Sequence, residues 1–185
     1  LPLKPQLVLA FGELTVLLIP LIYMLHKKVD VVKYIMLGSL RHVILGLGLG
    51  TGLLGVGVTL SLVLTFLLGP SARVEEANRA TIRMAQESPV VMMLVMLLAG
   101  ACEEFAFRGF LQNALRSRYS LSVALLGASL AFGLVHLDPQ AIYTIVSFVA
   151  GLFLGYFYNR LRSYILVATA HAAINMISLG ILILA

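Results

Sequence analysis

The sequence predicts an all-α fold: a polytopic membrane helix bundle of about six transmembrane helices plus one interfacial helix. Three observations predict it. Of the 185 residues, 61% are hydrophobic and only 11% charged, whereas soluble domains average about 25% charged. The apolar residues stand in long blocks, several of which, at about 1.5 Å per residue, reach across a hydrocarbon core of roughly 30 Å. The short alternating segments of a membrane β-barrel are absent. The chain is therefore expected to be an integral, multi-pass membrane protein, with the lipid bilayer as its first partner.

The first span covers about Gln6 to Leu25, with Glu13 and Pro20 inside it. The second, about His42 to Leu68, carries glycines at 46, 48, 50, 52, 55 and 57, and small residues let helix backbones approach closely in lipid. No strand precedes these glycines and no GK[ST] follows, so they form no phosphate loop. The segment 71-SARVEEANRATIRMAQESP-89 is the only long polar stretch. Its weak amphipathicity predicts a surface helix against the bilayer, a boundary and a candidate lid. A third span opens on Pro89, well placed in a first turn, and runs to about Arg116. A fourth runs from Ser120 to Leu137 and stops at 138-DP-139. A fifth covers Gln140 to Tyr158, and a sixth Tyr164 to Ala185. Tyr143, Tyr156, Tyr158 and Tyr164 lie near span ends, where aromatic-belt residues sit.

The net charge of +5 gives no reason to expect a nucleic-acid partner, because the cations flank the apolar blocks. The loops after spans one, three and five hold Lys27, Lys28, Lys33, Arg41, Arg116, Arg118, Arg160 and Arg162. The opposite side holds Lys4, Arg73, Arg79 and Arg83. The positive-inside rule assigns the first set to the cytoplasm and both termini to the outer side. A single cysteine, Cys102, excludes an intrachain disulfide and a multi-thiolate zinc site, and among small and aromatic neighbours it reads as packing. A chain that opens on Leu1 is expected to be part of a longer one, and 7-LVLAFGELTVLLIPLIYML-25 is too long for a typical signal core.

Six ionisable residues fall inside the spans: Glu13, Glu103, Glu104, Arg108, His136 and His171. A charge at a helix centre costs roughly 2.5–3.5 kcal/mol on insertion scales, so such residues face a cavity or one another. Glu104 and Arg108, at i and i+4, share a face and pair, while Glu103 is rotated from Glu104 by about 100°. Phe132 with His136, and His171 with Asn175, have the same i,i+4 spacing. Glu103 and Asn175 lie near mid-span, and His136 lies where the fourth and fifth spans connect. Convergence of these groups would make a cavity at intermediate depth, open toward that connection. A carboxylate, two imidazoles and an amide suit activation of water and stabilisation of an oxyanion. No GxSxG and no HExxH is present. Glu13 has no partner along the sequence and reads as a partly buried structural acid.

The set 103-EEFAFR-108, 132-FGLVH-136 and 171-HAAIN-175 resembles the motifs EExxxR, FxxxH and HxxxN of the CAAX-processing and bacteriocin-immunity (CPBP, or Abi) membrane proteases. That family includes the type II CAAX prenyl endopeptidases. The resemblance covers about Val90 to Ile177 and implies an intramembrane endopeptidase, a hydrolase acting on a peptide or protein substrate, prenylated or otherwise membrane-associated. It implies that Glu103 activates the hydrolytic water with His136, that His171 and Asn175 hold the oxyanion, and that Glu104 and Arg108 support the site. On this reading residues 1–70 are two N-terminal transmembrane helices, 71–88 an amphipathic surface segment, and 89–185 a four-helix catalytic core.

Glu103, His136 and His171 would also make a His₂Glu zinc set with one open position. The Glu104–Arg108 pair beside them and the scattered ligand spacing favour a site with no cofactor. Two other functions use the same residues: an ion- or proton-coupled transporter with Glu103, Glu104, His136 and His171 as relays, and a non-proteolytic immunity protein. Neither discontinuous paired helices nor an inverted repeat supports the transporter.

Overall fold

The protein's computed structural model describes residues 4–184; residues 1–3, and residue 185 at the end of the sixth expected span, lie outside it. The elements are α1 (Pro5–His26), α2 (Val31–Tyr34), α3 (His42–Leu68), α4 (Ala72–Glu87), α5 (Pro89–Glu104), a π-helical segment (Phe105–Gln112), α6 (Asn113–Arg116), α7 (Leu121–Val135), α8 (Ile142–Leu161) and α9 (Tyr164–Leu184). Among the described residues the fold is all-helical. From Pro89 to Arg116 the chain is one continuous rod.

Five helices are long and apolar enough to cross a bilayer: α1, α3, the Pro89–Arg116 rod, α8 and α9. The fourth expected span, Ser120 to Leu137, is a shorter helix of 15 residues, α7, about 22 Å long at 1.5 Å per residue. The next helix ends it. Asp138 Oδ1 accepts the amides of Tyr143 (2.8 Å) and Thr144 (3.3 Å) at the start of α8, and Pro139 disfavours helical backbone at the residue before it. His136 therefore leaves the helix with φ −101° and ψ 27°.

The packing is set by glycines. A Cβ on Gly46 would lie 2.5 Å from the Leu166 carbonyl, and one on Gly50 would overlap the Ala170 carbonyl. One turn apart, these two glycines let α3 lie against α9 backbone to backbone. Gly48, Gly52 and Gly55, on other faces of α3, meet nothing. Gly46 faces Leu166 and Thr169, and Gly50 faces Ala170 and Ala173, so α3 and α9 run in the same direction. On the other flank of α9, Gly100 of α5 would put a Cβ 2.7 Å from the Ala172 amide nitrogen. α7 and α8 form an antiparallel hairpin in which Gly133 faces Thr144 and Phe148, and Gly151 faces Ser129.

Hydrogen bonds close the two ends. At one, Tyr158 Oη donates to the Ile35 carbonyl (2.8 Å) and accepts from Asn113 Nδ2 (2.7 Å), and the Tyr164 amide donates to Met36 (2.8 Å). Tyr158 is fully buried, and Tyr164 Oη donates to the Ala101 carbonyl at 2.8 Å. These two tyrosines are internal fasteners and not belt residues. The linker around α2, α6 and the α8–α9 turn, with the eight flanking cations, thus gather at one end. At the other, Tyr143 Oη donates to Asn78 Oδ1 of α4 (3.0 Å), and Gln6 Nε2 donates to the Met84 carbonyl (3.1 Å). α4 is capped by Ser71, whose hydroxyl accepts the Val74 amide at 3.3 Å.

Candidate active site

The three motif segments come from the Pro89–Arg116 rod, the end of α7 and α9, and Arg108, His136 and His171, one from each, pack around one aromatic ring. Phe132 of α7 is buried. The Arg108 guanidinium lies over its face at 4.3 Å. The His136 ring stands 4.9 Å from the Phe132 centroid and the His171 ring 5.7 Å, the latter edge-on. Phe107 adds an edge contact at 5.1 Å. The first position of FxxxH therefore spaces the charged groups of all three segments.

Glu104 and Arg108 are fully buried. Glu104 Oε1 accepts from Arg108 Nη1 at 2.7 Å and from His171 Nδ1 at 2.9 Å. One carboxylate oxygen thus links α5, the π segment and α9 through two charge-assisted bonds. Room for the guanidinium comes from Gly151, where a Cβ would stand 3.3 Å from Arg108 Nη2. Arg108 lies in an eight-residue π-helical stretch. Such stretches are rare and frequent at functional sites, and nothing in 105-FAFRGFLQ-112 signals one by composition.

Glu103 points away from Glu104, as the 100° rotation between neighbours requires. Its Oε2 stands 3.9 Å from His136 Nε2, has no hydrogen-bond partner, and its side chain is 15% exposed, against 32% for His136. His136 Nδ1 lies 2.9 Å from the Phe132 carbonyl. A carbonyl only accepts, so Nδ1 carries the proton and the Nε2 lone pair of the neutral ring faces Glu103. The gap is too long for a hydrogen bond, but one water about 2.8 Å from each atom would bridge it.

Asn175 is held at 3.2 Å from the Met96 carbonyl through Nδ2; its remaining amide hydrogen is uncommitted by that bond. His136, His171 and Asn175 all line a cavity of about 420 Å³ bounded by α3, α4, α8 and α9. Val74 and Asn78 of α4 and Tyr143, just past the α7–α8 connection, are among its lining residues. Glu103 is not among the lining residues and reaches the site through His136. Glu13, on the inward stripe of α1 with Gln6, Pro20 and Met24, is coupled electrostatically to Glu103 and His171. It belongs to the site's surroundings, and only the α1–α5 packing reveals this. Cys102 is buried.

For the zinc set, His171 Nδ1 is bonded to Glu104, which is paired with Arg108; that bond leaves Nε2 open, as a carboxylate behind a metal-binding imidazole does. Among the described residues no three His, Cys, Asp or Glu side chains are grouped to hold a metal ion.

The family model of type II CAAX prenyl endopeptidases, Rce1-like, matches residues 85–177, half of the chain. That interval holds all three motif segments. No curated protein and no solved structure matches the chain.

Proposed function

The chain belongs to the Rce1-like family of type II CAAX prenyl endopeptidases, and from that membership we propose that it hydrolyses a peptide bond of a membrane-associated substrate with a water activated by Glu103. The family implies a membrane protease. The observation that carries the finer reading is the 3.9 Å approach of an unpartnered Glu103 carboxylate oxygen to His136 Nε2, beside a cavity that also receives His171 and Asn175.

Water held between Glu103 Oε2 and His136 Nε2 gives its proton to Glu103 as its oxygen bonds to the scissile carbonyl carbon. The carbonyl oxygen becomes an oxyanion facing the free Asn175 N–H and His171 Nε2. His171 donates from Nε2 only when its ring carries both protons, and Glu104, bonded to Nδ1, is the counter-charge for that state. On collapse the C–N bond breaks and the proton on Glu103 passes to the leaving amine. Atoms and charge balance with no other reactant. Glu104, Arg108 and Phe132 position these groups and touch no substrate.

The substrate proposed is a CAAX-type prenylated tail or another membrane-associated peptide. The test uses full-length protein in nanodiscs and an S-farnesyl CAAX peptide, with cleavage followed by mass spectrometry. Glu103→Gln is expected to lower kcat by at least about a hundredfold while the protein stays folded, the usual scale for loss of a general base. Undiminished cleavage by Glu103→Gln sinks the mechanism. The metal-free version is checked on protein purified without added metal: stoichiometric zinc whose removal abolishes cleavage would replace it with the His₂Glu version.

A further inference from the structure

The first turns of α1 and the last turns of α4 enclose a groove of about 460 Å³ that shares no lining residue with the catalytic cavity. Gln6 draws the two helices together: its Nε2 donates to the Met84 carbonyl at 3.1 Å and to Glu87 Oε2 at 3.4 Å. α1 and the Pro89–Arg116 rod are both long and apolar enough to cross a bilayer, and both begin beside this groove, at Pro5 and Pro89. Two spans that start together fix this end of the bundle at the membrane surface, so the groove lies at the level of the lipid headgroups.

One side of the groove is apolar and the other charged. Val8 and Leu9, 55% and 39% exposed, form the first side with Met84. Arg83 and Glu87 form the second, and both are exposed. They stand one turn apart on α4, the spacing at which Glu75 and Arg79 approach to 3.6 Å. Among the described residues no ion pair joins Arg83 to Glu87, because a base four residues before an acid pairs less well than the reverse order. The contact of Glu87 with Gln6 is to an uncharged amide. Both charges are thus left for a ligand. A simple anion in the groove would meet Glu87, and a simple cation would meet Arg83. A ligand that carries both signs close together, on an apolar tail, suits the whole groove.

We propose that this groove is a binding site for a phospholipid with an ethanolamine headgroup. The phosphate lies against Arg83, whose forked guanidinium matches two phosphate oxygens. The primary ammonium donates to the Glu87 carboxylate. A choline headgroup has no N–H to donate, and an anionic glycerol headgroup offers Glu87 no positive charge. The first carbons of an acyl chain cover Val8, Leu9 and Met84. α4 also presents Val74 and Asn78 to the catalytic cavity, so the lipid and the cavity share this helix as a wall.

The experiment places full-length protein in nanodiscs of equal parts phosphatidylethanolamine and phosphatidylcholine with identical acyl chains, and counts the lipids retained by native mass spectrometry. The ethanolamine lipid is expected to be retained about fivefold over the choline lipid, the upper scale for an exposed charge pair. Glu87→Gln should bring that ratio close to one, whereas Glu75→Gln, on the same helix outside the groove, should leave it in place. Arg83→Ala should lower retention of both lipids. Equal retention by the wild-type protein, or an unchanged ratio in Glu87→Gln, overturns the proposal. Nanodiscs with phosphatidylglycerol in place of phosphatidylcholine separate a zwitterion site from a cation alone: retention of the glycerol lipid above the ethanolamine lipid would also overturn it. A phosphatidylethanolamine with a diazirine near the start of one acyl chain reads position. Label on Val8, Leu9 or Met84 is expected, and label absent from α1 and α4 overturns the site.

Discussion

The buried Glu104 carboxylate joins three helices through one oxygen, so its value to the fold depends on its partners staying in place. Arg108→Met would leave Glu104 buried against His171 alone. The expected cost is roughly 3–5 kcal/mol, because an uncompensated buried charge is worse than no charge. Unfolding in mixed micelles measures it. The double variant Glu104→Gln/Arg108→Met should recover most of that stability, and a loss equal to the sum of the single changes would show that the ion pair is not the source. Arg108→Lys should not substitute, since a point charge replaces neither the planar stack on Phe132 nor the forked donor. At this scale the sequence was informative. The i,i+4 spacing of Glu104 and Arg108 gave their pairing, and the offset of Glu103 gave its separate direction. The sequence could not give the Glu104–His171 bond, which spans 67 positions and exists only because α5 and α9 touch. Nor could it give Glu13 a neighbourhood, because a lone acid in an apolar helix has no local partner to name.

Helix contacts decide how closely those groups meet. Gly100 sits one turn before Glu104, at the α5–α9 crossing, where an added Cβ would fall 2.7 Å from the Ala172 nitrogen. Backbone cannot yield there as a side-chain end would. Gly100→Ala is expected to cost about 1–3 kcal/mol as overpacking and to lengthen the Glu104–His171 contact. It should lower cleavage well beyond what the stability loss explains, read as kcat on protein shown folded by gel filtration. Asp138 works on another junction. Its Oδ1 caps α8 while the same turn ends α7 at His136, so Asp138→Ala should cost about 1 kcal/mol as a lost cap. Activity should fall by more than stability, because the ring facing Glu103 is released with the turn; equal activity would separate His136 from that role. The sequence placed the stop at 138-DP-139 but not its reach. The cap draws the helix end back to Val135, and a predicted span becomes a helix of 15 residues. The glycines of α3 were legible as a group, yet only Gly46 and Gly50 meet a backbone; which face touches a partner is not written along a single helix.

Over the whole molecule, charge is uneven. Eight flanking cations gather at the end fastened by Tyr158 and Asn113, and four lie at the end where α4 and the α7–α8 turn meet. The cavity is lined at the second, cation-poor end by Val74, Asn78 and Tyr143. The positive-inside rule would turn that end to the outer side, whereas type II CAAX processing faces the cytosol. Arg79→Cys on α4 and Arg118→Cys after α6, probed in intact cells with a membrane-impermeant maleimide, decide the matter. Labelling of residue 79 and protection of residue 118 are expected from the charge count, and would direct the search for substrates to outer-face peptides. The opposite pattern would overturn the charge argument and favour a cytosolic prenylated tail.

The sequence by itself determined the helical membrane class, most of the helix boundaries and the three motif segments that carry the family, because hydrophobic block length and i,i+4 spacing are properties of the chain alone. The tertiary structure decided which of those groups meet. It placed Phe132 between Arg108 and the two histidines and opened an eight-residue π-helical stretch under Arg108. Each of these depends on contacts between helices distant in sequence, where the shape of one surface against another sets the distance, and spacing along a chain carries no information about that.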